Sequence, residues 1–190
     1  MKPSFRQTKK DVDQRLSDRR RNRDSEGCII IDMTVKNDDD FLSVYSTSQT
    51  PVISTGVADF IENSTHSVSP REHFALHIHS NCIDEGEKTE YAAAIKEYYT
   101  EKYIANKKEL NLNRIIISIL TLVGVIVLAL AFQIKNAVWS EVIDIAAWVL
   151  LWEAVDIGVF KNREINLRRR RYLAYMSMKI VYDPIEIPSS

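Results

Sequence analysis

Glycine is scarce in this chain, five in 190 residues. Loops that cradle phosphates need glycine to let the backbone approach the ligand, and neither a Rossmann fingerprint nor a P-loop occurs. A GxSxG elbow, an HExxH pair and paired CxxC motifs are missing too. Catalysis is therefore not expected, and no cofactor is called for. Two cysteines, Cys28 and Cys82, cannot build a disulfide framework. Both lie beside apolar runs and read as reduced, small core residues. The opening stretch, MKPSFRQTKKDVDQRLSDRRRNRDSEG, lacks the apolar segment of a secretory signal peptide.

Net charge is also nearly absent, −1 in all, yet the charges are segregated. Residues 1–24 hold nine Lys/Arg against four Asp, and residues 161–179 hold seven against Glu164 alone. Between them, residues 25–90 hold twelve Asp/Glu against Lys36, Arg71 and Lys88. A basic arm over 1–26, low in hydrophobicity and read as disordered, precedes an acidic domain and a basic segment. The RRRNR run of Arg19 to Arg23 raises nucleic acid as a partner, but a basic arm near a membrane meets anionic lipid more readily, so nucleic acid is not expected.

What is present is grease. Ile115 to Phe132 runs eighteen residues without a charge. At 1.5 Å per residue that nearly crosses the ~30 Å hydrocarbon core, and Leu112, Gln133 and Ile134 can complete it. A second stretch, VWSEVIDIAAWVLLWEAVDIGVF (Val138 to Phe160), is also long enough to cross but carries Glu141, Asp144, Glu153 and Asp156. An isolated span would lose roughly 2.5–3.5 kcal/mol for each central Asp, so this one is expected to insert as the second arm of a hairpin. The spans predicted are about 113–134 and 138–160, within a hairpin of 112–160. Lys107, Lys108 and Arg114 precede the first, and Lys161, Arg163 and Arg168 to Arg171 follow the second, whereas the linker has only Lys135. Both termini are thus expected in the cytoplasm, in a multi-pass protein of the cell membrane.

At about 100° per residue the four acids occupy one half of the second helix. Two readings stand. They reach headgroups and water, helped by tilt and local thinning. Or they face a wet interior shared by several subunits, an ion or proton path. Lys161, Arg163 and Arg168, Arg169, Arg170 and Arg171 would hold anionic headgroups, with Leu167, Tyr172, Leu173 and Met176 turned to lipid.

Trp152-Glu153-Ala154-Val155-Asp156 followed by Arg168 to Tyr172 resembles small two-span bacterial membrane proteins, a resemblance that brings no activity with it. The same five residues also resemble the W-D-x-x-E signature of mitochondrial calcium uniporter-type channels. Those are two-span hairpins preceded by a long helix, which Asp84 to Arg114 would match. That likeness implies a cation channel whose path uses the acidic residues of the second span. The order of the acids is swapped here, Ile157 stands where the signature has proline, and the motif lies far from the linker.

The remaining sequence reads as a small α/β domain over 27–111. GCIIIDMTV (27–35) alternates as a strand, with Ile29, Ile31, Met33 and Val35 on one face. STGVADFIEN (54–63) reads as a capped helix presenting Val57, Phe60 and Ile61. EHFALHIHS (72–80) alternates again, placing His73, His77 and His79 opposite Phe74, Leu76 and Ile78. Side chains at i and i+2 of a strand lie about 7 Å apart on one side, so His77 and His79 could share a metal, with Asp32 or Cys82 as a third ligand. A plain polar face is the alternative. Asp84 and Glu87 form a capping-box pair that opens a long helix with Tyr91, Ile95, Tyr98, Tyr99 and Tyr103 along one stripe. MKIVYDPIEI (178–187) reads as a third strand within a basic helix-and-strand tail, 161–190. The expected class is an α+β membrane protein: a two-helix transmembrane hairpin, a small cytoplasmic α/β domain, and a long helix leading into the first span. Its expected role is that of an anchored interaction or regulatory module, as a homo-oligomer or with a partner membrane protein; the alternative is a small oligomeric cation or proton channel.

Overall fold

A computed structural model describes residues 22–47 and 50–185; most of the basic arm and the last five residues lie outside them. The fold is mixed α/β. Strand β1 (Ile29–Val35) is followed by helix α1 (Thr55–Thr65), strand β2 (Phe74–Ser80) and helix α2 (Glu85–Ala131). Then come helix α3 (Ala137–Asp156), one π-helical turn (Ile157–Lys161), helix α4 (Asn162–Met176) and strand β3 (Lys179–Asp183). Two compact units emerge: one built on the sheet, which runs through Glu101 and resumes at Arg171, and one from Lys102 to Arg170.

In the first unit the three strands lie in the order β1-β2-β3, all parallel. Parallel neighbours need a crossover, and α1 supplies the first in the ordinary way. The second crossover, from β2 to β3, contains all of α2, α3 and α4. Ile29, Ile31 and Met33 stand level with Phe74, Leu76 and Ile78, which places the apolar residues of both strands on one face. That face joins Ala58 and Ile61 of α1, Tyr91, Ala94, Ile95 and Tyr99 of α2, and Ala174 and Tyr175 of α4 in a single core.

Tyrosines knit this core. The Tyr99 ring lies 4.7 Å from that of Tyr175 and 6.5 Å from that of Tyr172. The Tyr175 hydroxyl meets Thr65 Oγ1 at 2.6 Å, and Thr65 in turn donates to the Ile61 carbonyl. Phe41 stacks on Tyr91, whose hydroxyl donates to Asp38 at 3.0 Å. Burial pushes the Tyr182 hydroxyl up to about 12, and it donates to the Lys88 carbonyl. The start of α2 is fixed as its capping box requires: Asp84 Oδ1 accepts from Glu87 N and Glu87 Oε2 from Asp84 N, both at 2.8 Å.

Three expectations need correction here. Phe60 is exposed, because the inward face of α1 is set by Ala58, Ile61 and Thr65. Cys82 is not a core residue; it is exposed in the turn after β2, its Sγ 3.1 Å from Ser80 Oγ, and Cys28 is only half-buried. Tyr172 and Met176 do not turn to lipid, since both pack against the core, leaving Leu167 and Leu173 exposed on α4.

The second unit is an antiparallel helical hairpin. Its linker is short, and Asn136 caps α3 by accepting from Val138 N and Trp139 N. Contacts then run in step along α2 and α3: Ser140 Oγ donates to the Ala131 carbonyl, Gly124 lies against Leu151, and Gly158 lies near Ile117. Asn113 Nδ2 donates to Asn162 Oδ1 beyond them. A Cβ on Gly124 would sit 2.9 Å from Leu151 Cγ, so any side chain there would force Leu151 to shift. Ala131, Ala147 and Ala154 are buried along the same seam. Small residues at a helix–helix seam are what close packing in a bilayer uses.

Candidate functional site

The hairpin and the open sheet face each carry a group of candidate side chains. On the hairpin, Ser140, Ala147, Leu151, Ala154 and Gly158 mark the side of α3 that meets α2. At about 100° per residue Asp144 falls roughly 40° from that seam, and Glu153 and Asp156 roughly 140° and 160°. Burial agrees: Asp144 is half-buried, while Glu141, Glu153 and Asp156 are exposed. Glu153 and Asp156 therefore point away from α2, in company with the exposed Trp148, Val149 and Trp152. Among the described residues none of the four carboxylates has an ion-pair partner. The π turn begins directly after Asp156, a feature the sequence does not announce; such turns insert one residue into a helix and often accompany function.

One helix among the described residues, α2, is long and apolar enough to cross a membrane. The four acids keep α3 from reaching that standard by itself. Apart from those acids, the outward surface of both helices is largely apolar, with Ile119, Leu122 and Ile126 of α2 and Ile145, Trp148 and Trp152 of α3 exposed.

The arginine run does not act as one face. Arg168 pairs with Glu109 at 3.7 Å and Glu164 at 4.0 Å, and the Arg169 guanidinium lies 5.9 Å from the centre of the Tyr103 ring. In the first unit, Arg171 donates to the His66 carbonyl at 3.0 Å. Lys161, Arg163 and Arg170 are exposed. Asn106 Oδ1 is buried without a hydrogen-bond partner, at a cost of about 1–3 kcal/mol.

The open sheet face brings His77 and His79 together, as the alternation predicts. Register puts Asp32, His77 and Val181 in one row and Thr34, His79 and Asp183 in the next. Each histidine bonds diagonally: His77 Nδ1 lies 2.8 Å from Asp183 Oδ2, and His79 Nε2 lies 3.2 Å from Asp32 Oδ1. Asp32 is thus beside the histidines, Cys82 is engaged elsewhere, and exposed His73 precedes the strand. Asp183 is the residue sequence reasoning passed over. Its place at the end of KIVYD was visible, but the register of β3 on β2 was not. A cleft of about 550 Å³ adjoins His79, lined also by Thr34, Asp183, Pro184 and Ile185. Another of about 520 Å³ lies where β1 ends and α1 begins, with Met33, Lys36, Phe41, Ser54, Val57 and Phe60 on its walls.

No family model, curated protein or solved structure matches the chain.

Proposed function

We propose that the chain is a two-span membrane protein whose hairpin anchors a cytoplasmic α/β module that binds or regulates other proteins, with no catalytic role of its own. The observation that carries this reading is the hairpin's surface. Residues such as Ile119, Leu122, Ile145 and Trp148 are exposed along both helices, and transfer of apolar surface out of water favours insertion. Small residues in the seam add support, as do the Lys and Arg that flank the helices and leave the linker with Lys135 alone. Lys161, Arg163 and Arg170 would meet anionic headgroups, each contributing about 1 kcal/mol. Reporter fusions after Asp183 and within the linker 132–136 are expected to label opposite sides of the membrane; labelling of the same side would remove the hairpin from the bilayer.

A second reading has its own observation. Glu153 and Asp156 face away from α2, with no ion-pair partner among the described residues, where a second copy could meet them. In an oligomeric cation or proton channel these acids would line the shared interior, with Asp144 and Glu141 nearer the linker. Mass measurement in detergent decides whether the copies assemble. In liposomes, Glu153→Gln is expected to abolish cation flux without lowering expression. A wild type inert to every cation tested, or a monomer, would leave only the anchored-module reading.

A further inference from the structure

We propose that the open face of the sheet binds a divalent transition-metal ion of the zinc class, through the imidazoles of His77 and His79. Neighbouring same-face positions on a strand stand about 7 Å apart, whereas two nitrogens on one zinc each lie about 2.0–2.1 Å from the metal. The rings must therefore lean toward one another along the strand, and their hydrogen bonds draw them in that sense, to partners on the two strands that flank β2. Asp183 stands level with His79, so the bond from His77 draws that ring forward, toward the row of His79. Asp32 stands level with His77, so the bond from His79 draws its ring back.

The same bonds set the tautomers. A neutral imidazole keeps its proton on the nitrogen that faces a carboxylate and leaves the lone pair on the other. His77 then offers Nε2 and His79 offers Nδ1. Metal-bound histidines are usually oriented by a carboxylate on the second nitrogen in this manner. Here both are, from two different strands. The rings are accessible, His77 at 23% and His79 at 33% side-chain exposure, and the cleft on the His79 side leaves room for water on the remaining coordination positions. Asp32 and Asp183 are positioning residues in this arrangement. A bound ion would tie them through both histidines, fastening β3, which follows the hairpin, to β2, which precedes it. The inference stands on the sheet alone and does not need the membrane reading.

The test uses the full chain purified in detergent and titrated with Zn2+ and with Co2+. One ion per chain is expected, with a Co2+ spectrum free of the charge-transfer band that a thiolate ligand gives. His77→Gln and His79→Gln should each weaken binding at least about tenfold, and Asp183→Ala and Asp32→Ala about 10–100-fold. A second donor set, Asp24, Glu26 and Cys28, lies within the same unit and serves as the competing explanation. Binding that survives loss of both histidines, or that vanishes in Cys28→Ser, overturns the proposal. A readout on the unmutated protein guards against misfolded variants: saturating Zn2+ should shield His77 and His79, but not His73, from histidine-selective acylation mapped by mass spectrometry. Equal reaction at all three overturns it as well.

Discussion

Tyr99→Ala is expected to destabilise the sheet unit by about 3–5 kcal/mol, the range for deleting a large buried ring. Tyr99 is fully buried, 0% exposed, and its ring touches those of Tyr98, Tyr172 and Tyr175. It sits where α2, α4 and α1 converge, so its removal leaves a cavity that no single neighbour can fill. A domain stable by 5–15 kcal/mol would lose about a fifth or more of that margin. Tyr99→Phe separates packing from polarity. The hydroxyl reaches the Ala58 carbonyl at only 3.5 Å, a poor hydrogen bond, so the phenylalanine variant should lose no more than about 1 kcal/mol. Denaturant unfolding of both variants, followed by near-UV circular dichroism, gives the comparison. Similar losses in the two would mean that the hydroxyl, and not the ring, holds the helices together.

The same tyrosine shows what the sequence could tell and what it could not. Its stripe with Tyr91 and Ile95 was legible because a helix repeats at a known period, and so were the two-residue alternations of β1 and β2. The Asp84 and Glu87 cap was legible for a related reason: its two bonds join residues three apart, so tertiary context is not needed. Partners far along the chain were not legible. Tyr172 looked lipid-facing because its neighbours Arg168 to Arg171 are so basic, yet its ring lies beside Tyr99, from which seventy-odd positions separate it. Asp183 meets His77 only through the register of parallel strands that are joined by the whole hairpin. The hydrophobic pattern of KIVYD fixes which side faces the core, and it leaves the row open.

The hairpin divides in the same manner. An uncharged run such as Ile115 to Phe132 declares a long apolar helix without help. The direction in which Glu153 and Asp156 point depends instead on which side of α3 meets α2, and that is decided by Gly124, Ala147 and Ala154, small residues that carry almost no hydrophobic signal. Arginines 168 to 171 likewise read as one basic block in sequence, whereas Glu109, Tyr103 and the His66 carbonyl divide them in space.

Gly124 provides the second large effect. Gly124→Leu is expected to force α2 and α3 apart. Even the first carbon of a side chain there would lie 2.9 Å from both Leu151 Cγ and Cδ2, and 3.5 Å from the Ala147 carbonyl oxygen. Leu151 is half-buried, and its side chain would have to shift to make room. Overpacking by a methylene or two costs about 1–3 kcal/mol, and a full leucine exceeds that. The contacts on either side, Ser140 with Ala131 and Gly158 with Ile117, depend on the same close approach and should loosen with it. With Cys28 and Cys82 replaced by serine, cysteines at 131 and 140 report on the seam through a short thiol-reactive cross-linker. High yield is expected in the parent and a several-fold fall in Gly124→Leu. Ala146→Leu is the control, because Ala146 is exposed while its neighbour Ala147 is fully buried. It should cross-link like the parent, whereas Ala147→Leu should behave like Gly124→Leu. Parental yield and thermal stability in Gly124→Leu would sink this account of the seam, and with it the assignment of Glu153 and Asp156 to the outward side of α3.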